Sequence, residues 1–412
     1  MPDAPEESIA DFRERAIAWM LTHLPSEDEP LMRDRALQHV LFEHRFAGIA
    51  FPKEYGGAGL TLEHQRAFYD EAARHRRQVP TSSALMVSIG MLGPTILDHG
   101  SHEAKARFLP LLLRGDELWI QLLSEPRGGS DMAGSTTRLT RDGDSYVLNG
   151  AKMWSSGAYI SDFGLCLCRT DWDAPKHRGL SIIAVPLKNT PGLTIQRTRS
   201  ASGLPGEFCE EFFDDVTLPL GNLIGEENQG WSVAQTLLFH ERNAVGNIGY
   251  GCLDGRPRRA LNRRINVDVG QLAAKARDRG ALPAVSELIA NTYIDSVVAP
   301  LTSSRLMTGM RVGTHKGQWG SLSKLQSSEA ARESVRTALA ALGAEAVVWD
   351  GDEVRTDNFG TSFLESRGGT IGGGTSEMQR NIISERLLGL PREPSQDRDI
   401  PFTEVLRNLG KA

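Results

Sequence analysis

The sequence carries a glycine-rich stretch of a kind that can hold a ligand. Residues 368–374 read GGTIGGG, with five glycines in seven positions, and they run directly into an apolar-periodic helix pattern that begins near Ser376. Backbone N–H groups at the start of a helix suit phosphates and other polar ligand atoms. No lysine follows the glycines, which rules against a Walker-type nucleotide loop. The stretch is therefore either a ligand cradle of another kind or a flexible turn.

An aromatic and an acidic residue stand in two other stretches. Trp154, in the strand-like run AKMWSSG, is of a type that usually packs in a core. Glu241 directly precedes Arg242 in the helical run FHERNAVG, where a solvated amphipathic face is the ordinary explanation. Neither stretch indicates a function by itself. Whether Trp154 and Glu241 have a functional role must be judged from the surrounding motifs.

The elements that must position these residues follow an order of helix, strand and helix. Helical periodicity covers the first third of the chain, with Ser8 and Thr61 as expected N-caps and Gly115 as an expected helix end. Short strand-like runs separated by Gly, Pro, Asn and Asp begin near residue 119. Helical periodicity then returns, closes one helix at Gly343 and predicts a last helix over roughly 376–390. The charged, proline-broken tail is expected to wrap a surface.

Composition excludes several classes of partner. The 412 residues include 46 basic and 52 acidic side chains, which gives a net charge of −6. This charge provides no overall positive field that would attract nucleic acid or an acidic membrane. The chain has no run of 18 apolar residues and an acidic N-terminus, which predicts a cytoplasmic protein without membrane insertion. Cys166 and Cys168 alternate on one strand with no His or Cys cluster nearby, and we interpret them as buried reduced thiols rather than metal ligands.

Four motifs, in their order and spacing, resemble those of the acyl-CoA dehydrogenase family. They are LLSEPRGGSDMAG (122–134), NGAKMWSSGAYISD (149–162), LIGEENQGW (223–231) and GGGTSEMQRNIISERLLGLPRE (372–393). The resemblance implies an α+β multidomain fold with an N-terminal α-helical domain (1–118), a central β-barrel (119–225), a C-terminal four-helix bundle (226–395) and a tail (396–412). It also implies FAD held between barrel and bundle, an acyl-CoA substrate, and an electron-transfer flavoprotein as electron acceptor.

The family converts an acyl-CoA thioester to the trans-2-enoyl-CoA. A carboxylate takes the Cα proton and the flavin N5 accepts the Cβ hydride. The positions that match the family's FAD contacts are Gln121, Leu123, Ser124, Gly129, Ser130, Trp154, Ser155, Ser156, Gly374, Thr375, Ser376 and Glu377. The positions that match substrate contacts are Ser130, Phe239, Arg242 and Gly373. Arg127 and Glu377 depart from the residues usual in the family.

The usual catalytic glutamate is missing. Most of the family carries it directly before the Gly-Thr of the glycine-rich stretch, where this chain has Gly373. Either the chain is inactive or the carboxylate comes from elsewhere. In a minority of relatives, including those acting on long-chain or branched acyl groups, the base lies on a bundle helix directly before an arginine. Glu241 and Arg242 match that pair, so the resemblance implies Glu241 as the base and room beside Gly373 for a branched or polycyclic acyl group.

The motif that reaches a neighbouring subunit's FAD in homotetrameric relatives is also missing. Residues 251–264 instead read GCLDGRPRRALNRR, with five arginines in nine positions from Arg256. This stretch is either a solvated loop or a site for an anionic partner. The chain is therefore expected to form a homo- or hetero-oligomer, and the alternative function is a non-catalytic or half-site subunit of a heterotetrameric, steroid side-chain-degrading enzyme. A third hypothesis is that the chain catalyses a different flavin-dependent reaction on a substrate that is not a CoA thioester.

Overall fold

The computed structural model describes residues 7–203, 208–245, 249–253, 268–315, 317–348, 359–395 and 397–408. The arginine-rich stretch at 256–264 lies outside the described residues. The chain divides into two compact units, one made of residues 1–198, 207–258 and 394–412 and the other of residues 199–206 and 259–393. The predicted α+β class is confirmed: helical regions precede and follow a set of strands along the chain. The domain borders near residues 118, 225 and 395 stay predictions.

The described N-terminal part of the first unit contains six α-helices. They are α1 (Ile9–His23), α2 (Asp34–Glu43), α3 (Leu62–Arg74), α4 (Ser83–Val87), α5 (Gly93–His99) and α6 (His102–Arg114). The expected N-caps are confirmed, because Ser8 Oγ accepts a hydrogen bond from Asp11 N and Thr61 forms a capping box with His64. α6 ends at Gly115, whose φ of 84° lies in the left-handed region that favours glycine.

In the described part of the first unit, eight strands form one sheet. They are β1 (Trp119–Leu122), β2 (Arg138–Asp142), β3 (Ser145–Ser156), β4 (Phe163–Arg169), β5 (Leu180–Pro186), β6 (Leu193–Arg197), β7 (Phe208–Pro219) and β8 (Leu223–Ile224). The order is β6-β7-β3-β2-β4-β5-β8, with β1 also beside β4. β4 runs parallel to β1 and β2, and the other pairs are antiparallel. Two bulges interrupt the long pairing of β3 with β7, one between Leu148 and Gly150 and one between Met153 and Ser155.

One apolar core joins the N-terminal helices, the sheet and the next helix, α7 (Gly230–Val245). α7 contributes Val233, Leu237 and Ala244, all of them buried, and β4 contributes Leu165 to the same cluster. Because these apolar side chains share one core, α7 is packed within the first unit. The position of Glu241 on this helix is thereby fixed relative to the sheet.

The second unit is helical. Its helices are α8 (Val269–Asp278), α9 (Leu282–Arg311), α10 (Gly320–Leu342), α11 (Phe359–Ile371) and α12 (Ser376–Ile382). Its buried core uses small and branched residues of α8, α9 and α10, including Leu272, Ile289 and Ala338. α10 ends at Gly343, as predicted. The last helix, predicted over roughly 376–390, is α-helical only to Ile382 and continues as a π-helical turn over Ile383–Leu387.

The C-terminal tail returns to the first unit, which confirms the prediction that it wraps a surface. Its helix α13 (Phe402–Asn408) begins where Phe402 N donates to Ala174 O at 3.1 Å. The buried Phe402 ring lies over the guanidinium group of Arg169, with 3.6 Å between the Arg169 Cζ atom and the ring centre. Among the helices described, none has the length and hydropathy that crossing a membrane requires.

Candidate active site

Two motifs that are distant in sequence meet at the ends of β1 and β3. Met153 N donates a hydrogen bond to Ser124 O at 3.0 Å, just beyond the end of β1. Beside it, Lys152 Nζ donates to Leu123 O at 3.1 Å. The predicted cofactor residues Leu123 and Ser124 are therefore held next to the strand segment that carries Trp154.

Trp154 is the extra residue of the bulge between Met153 and Ser155, and it has no register partner on β7. Its φ of 66° lies in the left-handed region, which bulky residues rarely adopt. The residue is 55% exposed, and the ring meets Phe208 edge-on with 5.9 Å between the ring centres. A flat apolar ring held open in this way suits stacking against a planar aromatic ligand.

The two serines that follow Trp154 have different environments. Ser156 is exposed, so its hydroxyl is open to a ligand. Ser155 is buried, and its hydroxyl donates to the carboxyl group of Glu211. A cofactor contact predicted for Ser155 would therefore have to use its backbone.

A buried ion pair lies behind the loop that follows β1. Lys152 Nζ is 2.9 Å from Glu125 Oε1, and it also donates to Ser135 Oγ at 3.0 Å. The Glu125 carboxylate further accepts backbone hydrogen bonds from Thr136 N at 2.8 Å and Thr137 N at 2.9 Å. Burial alone would raise the pKa of Glu125, but the charge of Lys152 and hydrogen bonds from Ser135, Lys152 and Thr137 outweigh it and lower the pKa to about 2. Sequence reasoning missed this network.

The loop anchored by this ion pair presents two of the predicted ligand residues. Gly129 and Ser130 are both exposed. A Cβ atom on residue 129 would lie 3.3 Å from Ser124 Oγ, so glycine allows the loop to approach Ser124 closely. Ser124, Gly129 and Ser130 are thus brought together, as the sequence motif predicted.

Glu241 on α7 contacts the end of β1. Gln121 Nε2 donates a hydrogen bond to Glu241 Oε2 at 3.2 Å. Glu241 is half-buried and its neighbour Arg242 is exposed. Burial raises the pKa of the Glu241 carboxyl group, and the charge of Arg242 opposes that shift. A carboxyl group with a raised pKa is a stronger base once ionised, which is what a general base near neutral pH requires.

Two histidine contacts fix α7 against α5. His240 Nε2 lies 2.9 Å from Asp98 Oδ2, and His99 Nε2 lies 2.8 Å from Thr236 Oγ1. Because His240 directly precedes Glu241, the first contact holds in place the turn of α7 that carries Glu241. Phe239, predicted to bind substrate, is 43% exposed and therefore accessible.

Gln121 also carries a buried acceptor that is free to bind a ligand. Its side-chain Oε1 atom is shielded from solvent and has no hydrogen-bond partner among the described residues. The exposed ring of Trp154 and the hydroxyl of Ser156 stand at the end of β3, beside the end of β1. A flat apolar surface with polar groups near its edge fits a flavin, whose ring system is planar and carries polar atoms along one side.

The glycine-rich stretch lies in the second unit, where it forms a turn before α12. Gly373 and Gly374 have φ values of 68° and 88°, which favour glycine at both positions. Thr375 caps α12 by accepting a hydrogen bond from Met378 N at 3.2 Å. Gln379 Nε2 donates to Gly373 O at 2.9 Å and thereby ties the turn to its own helix.

The last two predicted residues follow this turn. Ser376 is buried, and its hydroxyl donates to Glu329 Oε1 at 2.7 Å. Glu377 is exposed, and hydrogen bonds from its own backbone N–H and the Thr375 hydroxyl lower the pKa of its carboxyl group. The candidate residues therefore form two groups: those of β1, β3 and α7 in the first unit, and residues 373–377 in the second.

All four cysteines are buried and none forms a disulfide bond, and the prediction that Cys166 and Cys168 are buried thiols is confirmed. Cys166 and Cys168 are fully buried on β4, and burial raises the pKa of Cys166 to about 12. Such thiols are poor nucleophiles and poor metal ligands. Within the described ranges, no cluster of three or more His, Cys, Asp or Glu side chains could hold a metal ion.

Comparison with known proteins covers nearly the whole chain. Residues 4–116, 121–216 and 228–388 match the N-terminal, middle and C-terminal domains of acyl-CoA dehydrogenases. Acyl-CoA dehydrogenase IpdE1 of Mycobacterium tuberculosis is 32% identical over 406 residues, which is 94% of this chain and 99% of that protein. This identity over almost the full length of both chains establishes common descent.

Solved structures agree with the sequence comparison. The Tcur3481-Tcur3483 steroid ACAD aligns with a TM-score of 0.67 and 28% identity, covering 95% of this chain and 100% of that chain. The ChsE4-ChsE5 complex from Mycobacterium tuberculosis aligns with a TM-score of 0.63 and 26% identity, covering 95% of this chain and 100% of that chain. The predicted family is confirmed, and its members are flavin-dependent. The chain belongs to the acyl-CoA dehydrogenase family and is an enzyme of that family.

Proposed function

We propose that the chain oxidises an acyl-CoA thioester to the trans-2-enoyl-CoA, with Glu241 as the base that removes the Cα proton. The observation that carries this proposal is the 3.2 Å hydrogen bond between Gln121 Nε2 and Glu241 Oε2. It sets an acidic side chain of α7 beside the strand end that bears the predicted flavin residues. At the position where most of the family carries the base, this chain has Gly373, which has no side chain that could remove a proton.

The surroundings of Glu241 suit proton abstraction. Burial of Glu241 raises its pKa and favours the neutral acid, so the ionised carboxylate is a reactive base. The positive charge of Arg242 opposes this rise in pKa and favours ionisation. Gln121 holds one carboxylate oxygen and orients the other. A bound acyl chain would remove more water from the carboxylate and strengthen it further as a base.

FAD is the flavin that the matched residues fit. Bound FAD would supply the acceptor for the Cβ hydride. Trp154 and Ser156 would bind its ring system, together with Gln121. The remaining contacts within the first unit would come from the loop residues Leu123, Ser124, Gly129 and Ser130 and from the backbone of Ser155. The family resemblance assigns further FAD contacts to Gly374, Thr375, Ser376 and Glu377.

The substrate is proposed to be a CoA thioester with a branched or polycyclic acyl group. Gly373 adds no side-chain volume, and its backbone N–H could donate to the thioester carbonyl oxygen, which acidifies the Cα–H. Phe239 offers an exposed apolar ring, and Arg242 and Ser130 offer polar contacts. The similarity to a structure described as a steroid acyl-CoA dehydrogenase complex supports a steroid-derived substrate.

Anaerobic titration of the purified full chain tests the proposal. Straight-chain, branched and steroid-derived CoA thioesters are added in turn, and bleaching of the flavin absorbance is followed. Glu241→Gln should retain the flavin but lose substrate-dependent bleaching by at least about a hundredfold. Glu226→Gln, which changes an exposed carboxylate before α7, should bleach as the wild type does. Bleaching of Glu241→Gln at the wild-type rate would remove Glu241 from this role.

A second candidate function is a subunit that completes its site only with a different chain. Two observations favour it: both structural relatives above are named for two proteins, one of them as a complex, and α9 exposes an apolar stripe. The stripe consists of Tyr293, Ile294, Val297, Val298 and Leu301, each at least 41% exposed. Such a stripe on one helix face is typical of a protein interface. We propose that it mediates homo- or hetero-oligomerisation.

Purification separates the two candidates. A yellow chain that is bleached by an acyl-CoA on its own supports the complete enzyme, and re-oxidation by an electron-transfer flavoprotein would identify the electron acceptor. A colourless chain that gains flavin only when a partner chain is co-expressed supports the subunit.

A further inference from the structure

Glu211 is a buried carboxyl group that the proposed reaction does not use. It lies on β7 and is completely buried. One of its oxygens accepts the hydrogen bond from the Ser155 hydroxyl, and the other, Oε2, has no hydrogen-bond partner in the part of the chain that the structure describes. Its register partner across the β3–β7 pair is Lys152, which is also completely buried.

Lys152 does not satisfy Glu211. An ammonium group has three N–H donors, and those of Lys152 are directed at Leu123 O, Glu125 Oε1 and Ser135 Oγ. An ionised Glu211 would therefore bury a charge with one oxygen unbonded, which is costly. A neutral carboxyl group needs fewer donors and fits the site, and burial indeed raises the pKa of Glu211 to about 7.

The contact from Ser155 to Glu211 adjoins a strained residue. Trp154 directly precedes Ser155 and has a φ of 66°. A bulky residue in this region is strained, so it persists only where its surroundings hold it. The neighbour on one side, Met153, is held by its hydrogen bond to Ser124 O. The neighbour on the other side, Ser155, is held through its side chain by Glu211.

We propose that Glu211 is a positioning residue that, in its neutral form, fixes the bulge at Trp154 through the hydroxyl of Ser155. Loss of the proton would leave a buried carboxylate that accepts from Ser155 at one oxygen and has no donor at the other among the described residues. The strand would then have to shift to bring water or Lys152 to Glu211, and the backbone at Trp154 would loosen. The inference that this loosening changes a flavin-binding surface rests on the function proposed above. The link from Glu211 to Trp154 does not depend on that function.

The titratable and charged groups near Glu211 lie on β3, β4, β6 and β7, and the contribution of β6 is Arg197, which lies opposite Cys209 in the β6–β7 register. Lys152 on β3 is a cation that acts on Glu211, and Lys152 is itself paired with Glu125. Glu210 adjoins Glu211 on β7, and the buried thiols of Cys166 and Cys209 lie on β4 and β7. Since burial raises the pKa of both thiols, they stay neutral near pH 7 and leave Glu211 as the group that titrates there.

Trp154 fluorescence in the full chain tests the proposal. The emission of Trp154 is obtained in each background as the difference from the matching Trp154→Phe variant. Ser155→Ala and Glu211→Ala should each change the wavelength and lower the anisotropy of this emission. Glu211→Gln, which keeps a neutral side chain of the same shape, should match the wild type at low pH. Asp214→Asn, which removes an exposed carboxylate from the same strand, should have no effect.

A pH series supplies the readout that a purely structural role would not move. The wild-type Trp154 emission should change with a midpoint near pH 7, while Glu211→Gln should keep the low-pH signal throughout. Three results would each overturn the proposal. The first is unchanged Trp154 emission in both Ser155→Ala and Glu211→Ala, and the second is a Glu211→Gln variant that behaves like Glu211→Ala. The third is a Glu211→Gln variant whose emission changes with the same pH midpoint as that of the wild type. Ser155→Ala keeps the test decisive if Glu211→Ala fails to fold.

Flavin spectroscopy separates this inference from the proposed reaction. In flavin-loaded protein, the visible absorption maximum should shift with pH in the wild type and stay constant in Glu211→Gln. Neither this spectrum nor the Trp154 emission requires any acyl-CoA to react. Failure of the chain to oxidise thioesters would therefore contradict the proposed function alone.

Discussion

Lys152 Nζ lies 2.9 Å from Glu125 Oε1, and this buried pair joins two sequence motifs at one point. Glu125 belongs to the motif after β1, and Lys152 belongs to the motif that ends β3. Each motif by itself matches cofactor contacts, but the ion pair shows that they also depend on each other for their conformation. A change in either partner should therefore reach residues of both motifs.

Removal of Lys152 should destabilise the first unit strongly. Lys152→Met leaves the Glu125 carboxylate buried without its cation, which typically costs about 3–5 kcal/mol of unfolding free energy. Chemical denaturation followed by far-UV circular dichroism measures this loss. Lys188→Met, which breaks the more exposed pair with Asp162, should cost less than about 1 kcal/mol. Equal losses in the two variants would contradict the importance given to the buried pair.

The same carboxylate should govern part of the acid stability. The pKa of Glu125 is lowered to about 2 in the folded chain, so its contribution is present above the ordinary pKa near 4.5 and is lost as the pH falls towards 2. The linked loss is roughly 3 kcal/mol over that interval. Urea titrations at a series of pH values should show a shallower decline for Glu125→Gln than for the wild type. A decline of the same steepness would assign the acid sensitivity to other groups.

Replacement of Gln121 should move the pH profile of the proposed reaction. The Gln121 amide donates to the Glu241 carboxylate, and loss of a donor to the charged form raises the pKa of the acid. Because the base must be ionised, the rise of flavin reduction with pH should shift to higher pH in Gln121→Met. Stopped-flow reduction across pH measures the midpoint. A shift to lower pH would show that Gln121 does not stabilise the ionised base.

The tail should contribute to the stability of the sheet. Phe402→Ala removes a buried ring from above the Arg169 guanidinium, which should cost about 3–5 kcal/mol. Phe212→Ala, at a 40% exposed position on β7, should cost much less. Thermal unfolding of both variants makes the comparison. A similar small shift in melting temperature for the two would mean that the tail adds little to the first unit.

Local signals made much of the fold predictable. Ser8, Thr61 and Gly115 mark helix ends because capping depends on side chains and backbone angles within a few residues. The order of helix, strand and helix follows from hydropathy periodicity, which is also local. The motifs around Ser124 and Trp154 could be grouped because the family resemblance places them in one site, and their contact in the first unit agrees with that grouping.

The interior polar groups could not be predicted in the same way. In EEFFDDV the acidic residues look like the solvated side of a strand, yet Glu211 is buried, and only the register with β3 shows that it meets Ser155 and Lys152. Similarly, Ser155 and Ser156 are indistinguishable in sequence. A bulge decides which of them is buried, and a bulge depends on pairing with a distant strand.

The contact of Phe402 with Arg169 has a consequence for biosynthesis. The ribosome must add the whole of the second unit between making Arg169 and making the ring that covers it. At bacterial or eukaryotic elongation speeds this interval is on the order of ten seconds or more. A nascent chain therefore emerges with the Arg169 guanidinium not yet covered by Phe402, and a product that ends before residue 402 lacks this cover altogether.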